Sequence, residues 1–287
     1  MSLASKIKEQ KQGEGDFKRF TGICPVRITA INPTLSKLVE MGVNFSQEPV
    51  YIGDKDGVKT LRLDFWVNNP EAEYFEEGVK SKVDFREKLT FFLENKVKTS
   101  QSGKKLIVNN ILQSTWADSI DALKSNEKMK WFKHDGIRES MVGEVELLEF
   151  LKKWLGISGG FTSITDPSKN KAADTVTLDT PWAKLIAGDV KELQSLVPVA
   201  TEAGRGVRVL FGVTEKDGKF YQKAYMKYIM RGNELKTDKL AAALDEEYGE
   251  FKADYDGFNF KVYQIGIVTA DKVDTTFQDS GKLKPMF

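Results

Sequence analysis

From Tyr221 to Arg231 aromatic and basic side chains alternate at two-residue spacing: Tyr221, Lys223, Tyr225, Lys227, Ile229, Arg231. On a β-strand that spacing puts all six on one face. Phenol rings so placed can stack on unpaired bases, while ammonium and guanidinium groups between them attract phosphates. The competing reading is an amphipathic strand whose tyrosines are half-buried under a neighbouring loop, since tyrosine is a common strand former whatever its task.

A second constellation would cut rather than hold. Asp84, followed by Glu94-Asn95-Lys96, mimics the Asp…Glu-X-Lys set with which some nucleases hold a divalent metal and position water. In a chain that is 30% charged, Glu-X-Lys triplets arise easily by chance. Other chemistry lacks its residues. There is no Gly-X-X-X-X-Gly-Lys-Ser/Thr phosphate loop, and Gly204-Arg205-Gly206 precedes a strand, the wrong context for a dinucleotide site. Asp54-Lys55-Asp56-Gly57 has the composition of a calcium loop but not its spacing, so it reads as a turn. With one cysteine, Cys24, and one histidine, His134, the usual Cys/His zinc site and an intrachain disulfide are both excluded. His134 reads as a surface side chain. The expectation is therefore no catalytic residue, no metal and no cofactor.

The alternating face must be carried by a hairpin. Val207, Val209, Phe211 and Val213 form the apolar side of its first strand, Asp217-Gly218 is the turn signal, and Phe220, Ala224, Met226, Tyr228 and Met230 share the inner side of its second. Earlier, Val26, Ile28 and Ala30 alternate in a strand stopped by Asn32-Pro33, a short helix is expected around Leu35, Leu38 and Val39, and Glu48–Ile52 reads as the next strand. Leu61, Leu63, Phe65 and Val67 then face a core, with Thr60, Arg62, Asp64 and Trp66 opposite. Residues 69–82 read as an acidic loop. Residues 83–94 resume strand, with Leu89, Phe91 and Leu93 on one side and Lys88, Thr90 and Phe92 on the other, and 104–115 reads as its partner.

Residues 117–198 break this rhythm and read as a helical insertion. Its clearest helix runs over 143–155, Thr180-Pro181 starts another, and Asp189 with Glu192 suggests a capping box for a last one ending at Pro198. A helix over 237–248 and a closing strand over 258–268, pairing Lys261 with Tyr263, complete the set.

The 287 residues carry 43 Lys+Arg against 42 Asp+Glu, a formal net charge of +1, so affinity for a polyanion must come from a local patch. Arg205, Arg208, Lys216, Lys219, Lys223, Lys227 and Arg231 against Glu215 and Asp217 make the hairpin that patch. No apolar run is long enough to span a bilayer, and the first residues lack the core of a signal peptide, so a cytoplasmic protein is expected. The organisation read from these patterns is a flexible basic arm over 1–16, a single domain over 17–268 with its insertion, and a flexible tail over 269–287. Its fold class is mainly β with a helical insertion (α+β), an OB-like antiparallel barrel.

Cys24-Pro-Val-Arg-Ile-Thr-Ala-Ile-Asn-Pro-Thr34, Glu48-Pro-Val-Tyr51, Gly57-Val-Lys-Thr-Leu-Arg-Leu-Asp-Phe65, Gly143-Glu-Val-Glu-Leu147 and Val209-Leu-Phe-Gly-Val213 together resemble the single-stranded DNA-binding proteins of crAss-like bacteriophages. That resemblance implies an OB-type barrel coating unwound DNA during phage replication or recombination in the bacterial cytoplasm, without chemistry of its own. Its partners would be single-stranded DNA and replication or recombination proteins. Carried over by position, Tyr221, Lys223, Tyr225, Lys227 and Arg231 are the contact face, with Arg27, Arg62 and Trp66 alongside, and Lys261 and Tyr263 add a further cation and ring. Many such proteins end in an acidic tail; this chain ends Gly281-Lys-Leu-Lys-Pro-Met-Phe287. A structural protein-binding module is the remaining alternative.

Overall fold

The computed structural model describes residues 19–20, 22–43, 45–76, 79–109, 113–132, 134, 136–155, 178–216, 219–226, 229–231 and 267–268. They form a mainly antiparallel β structure with few helices, an OB-like α+β fold. Two compact units divide the chain: Met1–Pro49, Phe65–Leu89 and Thr201–Phe287 make one, Val50–Asp64 and Thr90–Ala200 the other. Two long strands, β4 (Val58–Glu76) and β5 (Val79–Val97), contribute to both.

In the first unit, β1 (Arg19–Phe20) precedes β2 (Gly22–Ile31), and β10 (Val207–Lys216), β11 (Lys219–Ala224) and β12 (Met230–Arg231) follow much later. Their order is β11-β10-β2-β4-β5, with β12 on β10 and with β13 (Ile267–Val268) on β1. The expected hairpin is present: Lys216 pairs with Lys219 and Phe211 with Ala224, which puts the apolar sides of both strands on one face. Cys24, Val26 and Ile28 of β2, Phe65 and Val67 of β4 and Val207, Val209 and Phe211 of β10 are buried. Phe85 of β5 meets Phe211 edge to face at 4.9 Å. A helix, α1 (Leu35–Glu40), is capped by the Thr34 hydroxyl, which accepts from the Lys37 backbone N–H. Leu38 anchors it, whereas Val39 is exposed.

The second unit contains β3 (Ile52–Lys55), the first half of β4, the second half of β5, and β9 (Met141–Val142) beside β5. The turn from β3 to β4 is the tight one its sequence announces. Lys55 pairs with Val58, and Asp56 and Gly57 between them take φ of 56° and 78°, the positive values of a two-residue hairpin loop. Over β5 lies α3 (Glu144–Trp154), preceded by α2 (Ile120–Ser125) and followed by α4 (Trp182–Ile186) and α5 (Lys191–Glu202). Phe150 of α3 packs on Phe91 at 4.8 Å, with Leu147, Leu151 and Trp154 buried beside it. A small sheet of β6 (Lys105–Val108), β7 (Ser114–Ala117) and β8 (Arg138–Glu139) carries its own cluster of Ile107, Leu123 and Phe132.

Five expectations change. The strand read over Glu48–Ile52 begins only at Ile52 and takes in Asp54 and Lys55, read from sequence as part of the turn, because its pairing with β4 runs from Ile52 opposite Leu61 to Lys55 opposite Val58. Residues 69–76 and 79–82 belong to β4 and β5, so the acidic segment is part of a long ribbon; Pro70 fits there because the pairing of β2 with β4 runs only from Ile31 opposite Phe65 to Arg27 opposite Asn68. Residues 104–115 do not form one partner strand for β5. They fold back as β6 and β7 on each other, after a turn in which the Ser100 N–H donates to the Lys104 carbonyl at 2.7 Å. Pro198 lies inside α5, where Leu193 before it and Ala200 after it are buried and keep the helical course. Glu192 does not serve Asp189; its carboxylate takes the backbone N–H groups of Asp179 and Thr180 at 2.8 and 2.7 Å, tying the entry of α4 to α5. The expected helix over 237–248 lies outside the described residues, as does the closing strand except Ile267–Val268.

A candidate nucleic-acid interface

On a strand whose inner side chains fill a core, the outer side chains form a surface only where nothing covers them. Along the first half of β4, Leu61 and Leu63 point inward, so Thr60, Arg62 and Asp64 point outward. Along β5, Leu89, Phe91 and Leu93 are buried, so Thr90, Phe92 and Glu94 share the other side. Thr90 Oγ1 donates to Asp64 Oδ1 at 2.8 Å, and the Lys59 N–H donates to Asn95 Oδ1 at 3.0 Å. The two bonds join Asp64 with Thr90 and Lys59 with Asn95, and an antiparallel pairing of β4 and β5 in that register sets Arg62 opposite Phe92. Opposed side chains of such a pair start about 5 Å apart.

Three strands therefore present a row. The Arg62 N–H donates to the Tyr51 carbonyl at 2.7 Å, which brings the chain entering β3 alongside β4. The Arg62 guanidinium lies over the Tyr51 ring, 5.4 Å from its centroid. Its Nη2 is 3.1 Å from Asp64 Oδ2, and that buried carboxylate, also held by Thr90, fixes the direction of the guanidinium. Arg62 remains 33% exposed and the Phe92 ring 54% exposed. A ring, a cation and a second ring thus line up across the sheet.

The backbone under Phe92 is clamped. Gly143, which opens α3, has φ of 81°, and a Cβ added there would stand 1.9 Å from the Phe92 carbonyl oxygen. Only glycine lets the first turn of α3 approach β5 so closely. That turn is itself pinned by Glu144, fully buried, which accepts from the Arg138 guanidinium and from the Met141 N–H. The cation of Arg138 also faces the Trp182 ring of α4 at 5.9 Å. The open side of β5 is therefore backed by helices on its closed side.

The residues named from sequence fare differently. The Arg62 side chain is 33% exposed on β4 of the second unit, and Arg27 is exposed on β2 of the first. Trp66 and Tyr225 are corrections: each is only 7% exposed, so neither ring offers a face to a base. Trp66 is covered edge-on by Phe45, with ring centroids 6.2 Å apart. β11 ends at Ala224, and the Tyr225 N–H continues its register by bonding to the Leu210 carbonyl at 2.9 Å, beside a Leu210 that is itself buried. Lys223 closes over it, with Nζ 4.5 Å from the ring centroid. Cation and ring are paired as the spacing suggested, but with each other. Lys227, Lys261, Tyr263 and the side chains of Tyr221 and Arg231 lie outside the described residues; in the backbone Tyr221 is opposite Thr214 and Arg231 opposite Val207.

For the metal reading, Asp84 and Glu94 both belong to β5, ten positions apart in sequence. Among the described residues no group of three His, Cys, Asp or Glu side chains could hold an ion. His134 is exposed, and Cys24 is fully buried, its thiol pushed up to about 12 by burial against a smaller opposing effect of the Asn69 amide that donates to it at 3.3 Å. No helix among the described residues is long and apolar enough to cross a membrane.

Alternation in the sequence set Phe92 with Lys88 and Thr90 on the side opposite Leu89, Phe91 and Leu93, but it did not name Phe92 or Tyr51 as site residues, because which side chains on other strands they meet depends on strand pairing. Tyr51 lies just before its strand, and only the pairing with β4 brings it under Arg62. Compared with protein-family models, with curated proteins and with solved structures, the chain matches none.

Proposed function

We propose that this protein binds single-stranded DNA with little sequence preference, through the outer face of β3, β4 and β5 in the second unit. The observation that carries the reading is the Tyr51-Arg62-Phe92 row, a buttressed and partly exposed guanidinium between the Tyr51 ring and an exposed Phe92. An unpaired base stacks on the Phe92 ring because every base has a π-face, which makes the contact tolerant of sequence. Arg62 is held ready for a phosphate by Asp64 and Tyr51. Duplex DNA keeps its bases stacked inside and offers the Phe92 ring no free π-face, leaving only a phosphate for Arg62. The resemblance to crAss-like phage proteins supports the same reading and would make the biological role the coating of unwound DNA during replication or recombination.

The test is photochemical cross-linking of an oligothymidylate to the full chain, followed by peptide mapping. Cross-links at Phe92 or Tyr51 are expected. Efficient cross-linking confined to other segments would take this face out of the reading, and a chain that cross-links nowhere would remove the function with it.

A further inference from the structure

A second ring stands out in the same unit, on the small sheet of β6, β7 and β8. Asn126 closes the end of α2, its N–H donating to the Leu123 carbonyl at 3.2 Å and its Oδ1 accepting from the Lys128 N–H at 3.0 Å. The Met129 N–H then bonds to the Asn126 carbonyl and the Phe132 N–H to the Met129 carbonyl, each at 2.9 Å. Such consecutive turns leave little freedom. They send Phe132 inward, where it is buried with Ile107 and Leu123, and its neighbour Trp131 outward, 37% exposed. The two rings are 4.7 Å apart and inclined at 57°, so the indole rests on an anchored phenyl.

The exposed charges next to the indole along the chain are Lys128 and Lys130, with Glu127 3.6 Å from Lys130; with both side chains largely in water that pair contributes little. On α2 before them Lys124 is exposed, and so is Asp121. Protein interfaces are depleted of lysine at their centres. A fixed aromatic face flanked by lysines at short spacing suits a strand with free bases and a charged backbone.

We propose that Trp131, with Lys128 and Lys130, forms a second contact for the same single strand, lengthening the stretch of DNA that one copy engages. This rests on the reading of the Phe92 face as a single-strand site and adds to it a separate patch with its own stacking ring. The indole takes one base, the lysines take the phosphates beside it, and the buried cluster under Phe132 keeps the platform in place.

The experiment measures binding of a short and a long oligothymidylate to the full chain, wild type against Trp131→Ala and against Lys128→Gln/Lys130→Gln, which alters only exposed groups. The short oligonucleotide is chosen as the shortest that Phe92→Ala weakens. On the long one both variants are expected to bind about fivefold to about 150-fold more weakly, the range one stacked base supplies. On the short one they are expected to match wild type, and Trp131→Phe is expected to recover most of the loss. Long-oligonucleotide binding equal to wild type in both variants would overturn the second contact and leave the first site standing. Polyglutamate displacing the long oligonucleotide equally from wild type and Trp131→Ala would also overturn it, as a patch that senses charge alone. Wild-type protein that binds neither length would remove both proposals.

Discussion

Replacing Phe92 by alanine separates binding from folding more cleanly than any other change on this surface. The ring is 54% exposed, so about half of the ~3 kcal/mol that full burial of a phenylalanine contributes is absent to begin with. Folding should weaken by about 1.5 kcal/mol. A stacked base contributes about 1–3 kcal/mol, so affinity for oligothymidylate should fall about fivefold to about 150-fold. Fluorescence anisotropy of a labelled oligonucleotide across a salt series reads both the size and the origin of the loss. Phe92→Ala removes no charge, so the slope of log affinity against log salt should stay as in wild type. Arg62→Ala should flatten that slope by about 0.7, one phosphate contact on a single strand. The adjacent residue gives the contrast, because Phe91 is buried against Phe150 and its change to alanine should cost about 3–5 kcal/mol of folding. A folded Phe92→Ala protein that binds as tightly as wild type at every salt concentration would refute the reasoning.

Further expectations concern the frame around the site. Gly143→Ala forces a side chain into a left-handed backbone position and against the Phe92 carbonyl; chemical denaturation should show a loss of at least about 1–2 kcal/mol. The Cys24 thiol, pushed up to about 12, should be silent toward a thiol reagent in the folded protein and react on unfolding. Its folded pKa lies above the unfolded one, so its contribution to stability is complete below about 9 and lost as pH rises from there towards 12; Cys24→Ala should lack that alkaline decline in a melting series. Burial would raise the Glu192 carboxyl, but the Thr180 and Asp179 hydrogen bonds outweigh it and hold it below its usual value. That stabilisation is present above the unfolded carboxylate pKa and lost as pH falls through the folded one. Glu192→Gln should accordingly melt below wild type at neutral pH and converge with it in acid. Tyr225→Ala, by contrast with Phe92→Ala, should lower the melting temperature, because its ring is buried.

Local signals carried much of the fold. Alternation in Val207–Phe211 and the pair Asp56-Gly57 fixed strand and turn, and the apolar spacing through Leu147, Leu148, Leu151 and Trp154 fixed α3. The candidate site was only half legible, since a period of two tells which side chains share a face and nothing about what lies on top of it. For Tyr225 and Trp66 the cover comes from side chains that the period does not place: Lys223 lies over the Tyr225 ring, and Phe45 lies on Trp66. The ribbon of β4 and β5 was hidden for another reason. Asn69, Pro70 and the glutamates after them are poor strand formers, and it is pairing with the neighbouring strand that extends them.

The central claim is preference for unpaired bases, and anisotropy of the full chain with labelled oligothymidylate against a matched duplex tests it most directly. Tight binding to the single strand, weakening steeply as salt rises, with far weaker binding to the duplex, is the predicted result. Equal affinity for the two forms, or no binding to the single strand even at low salt, would contradict it.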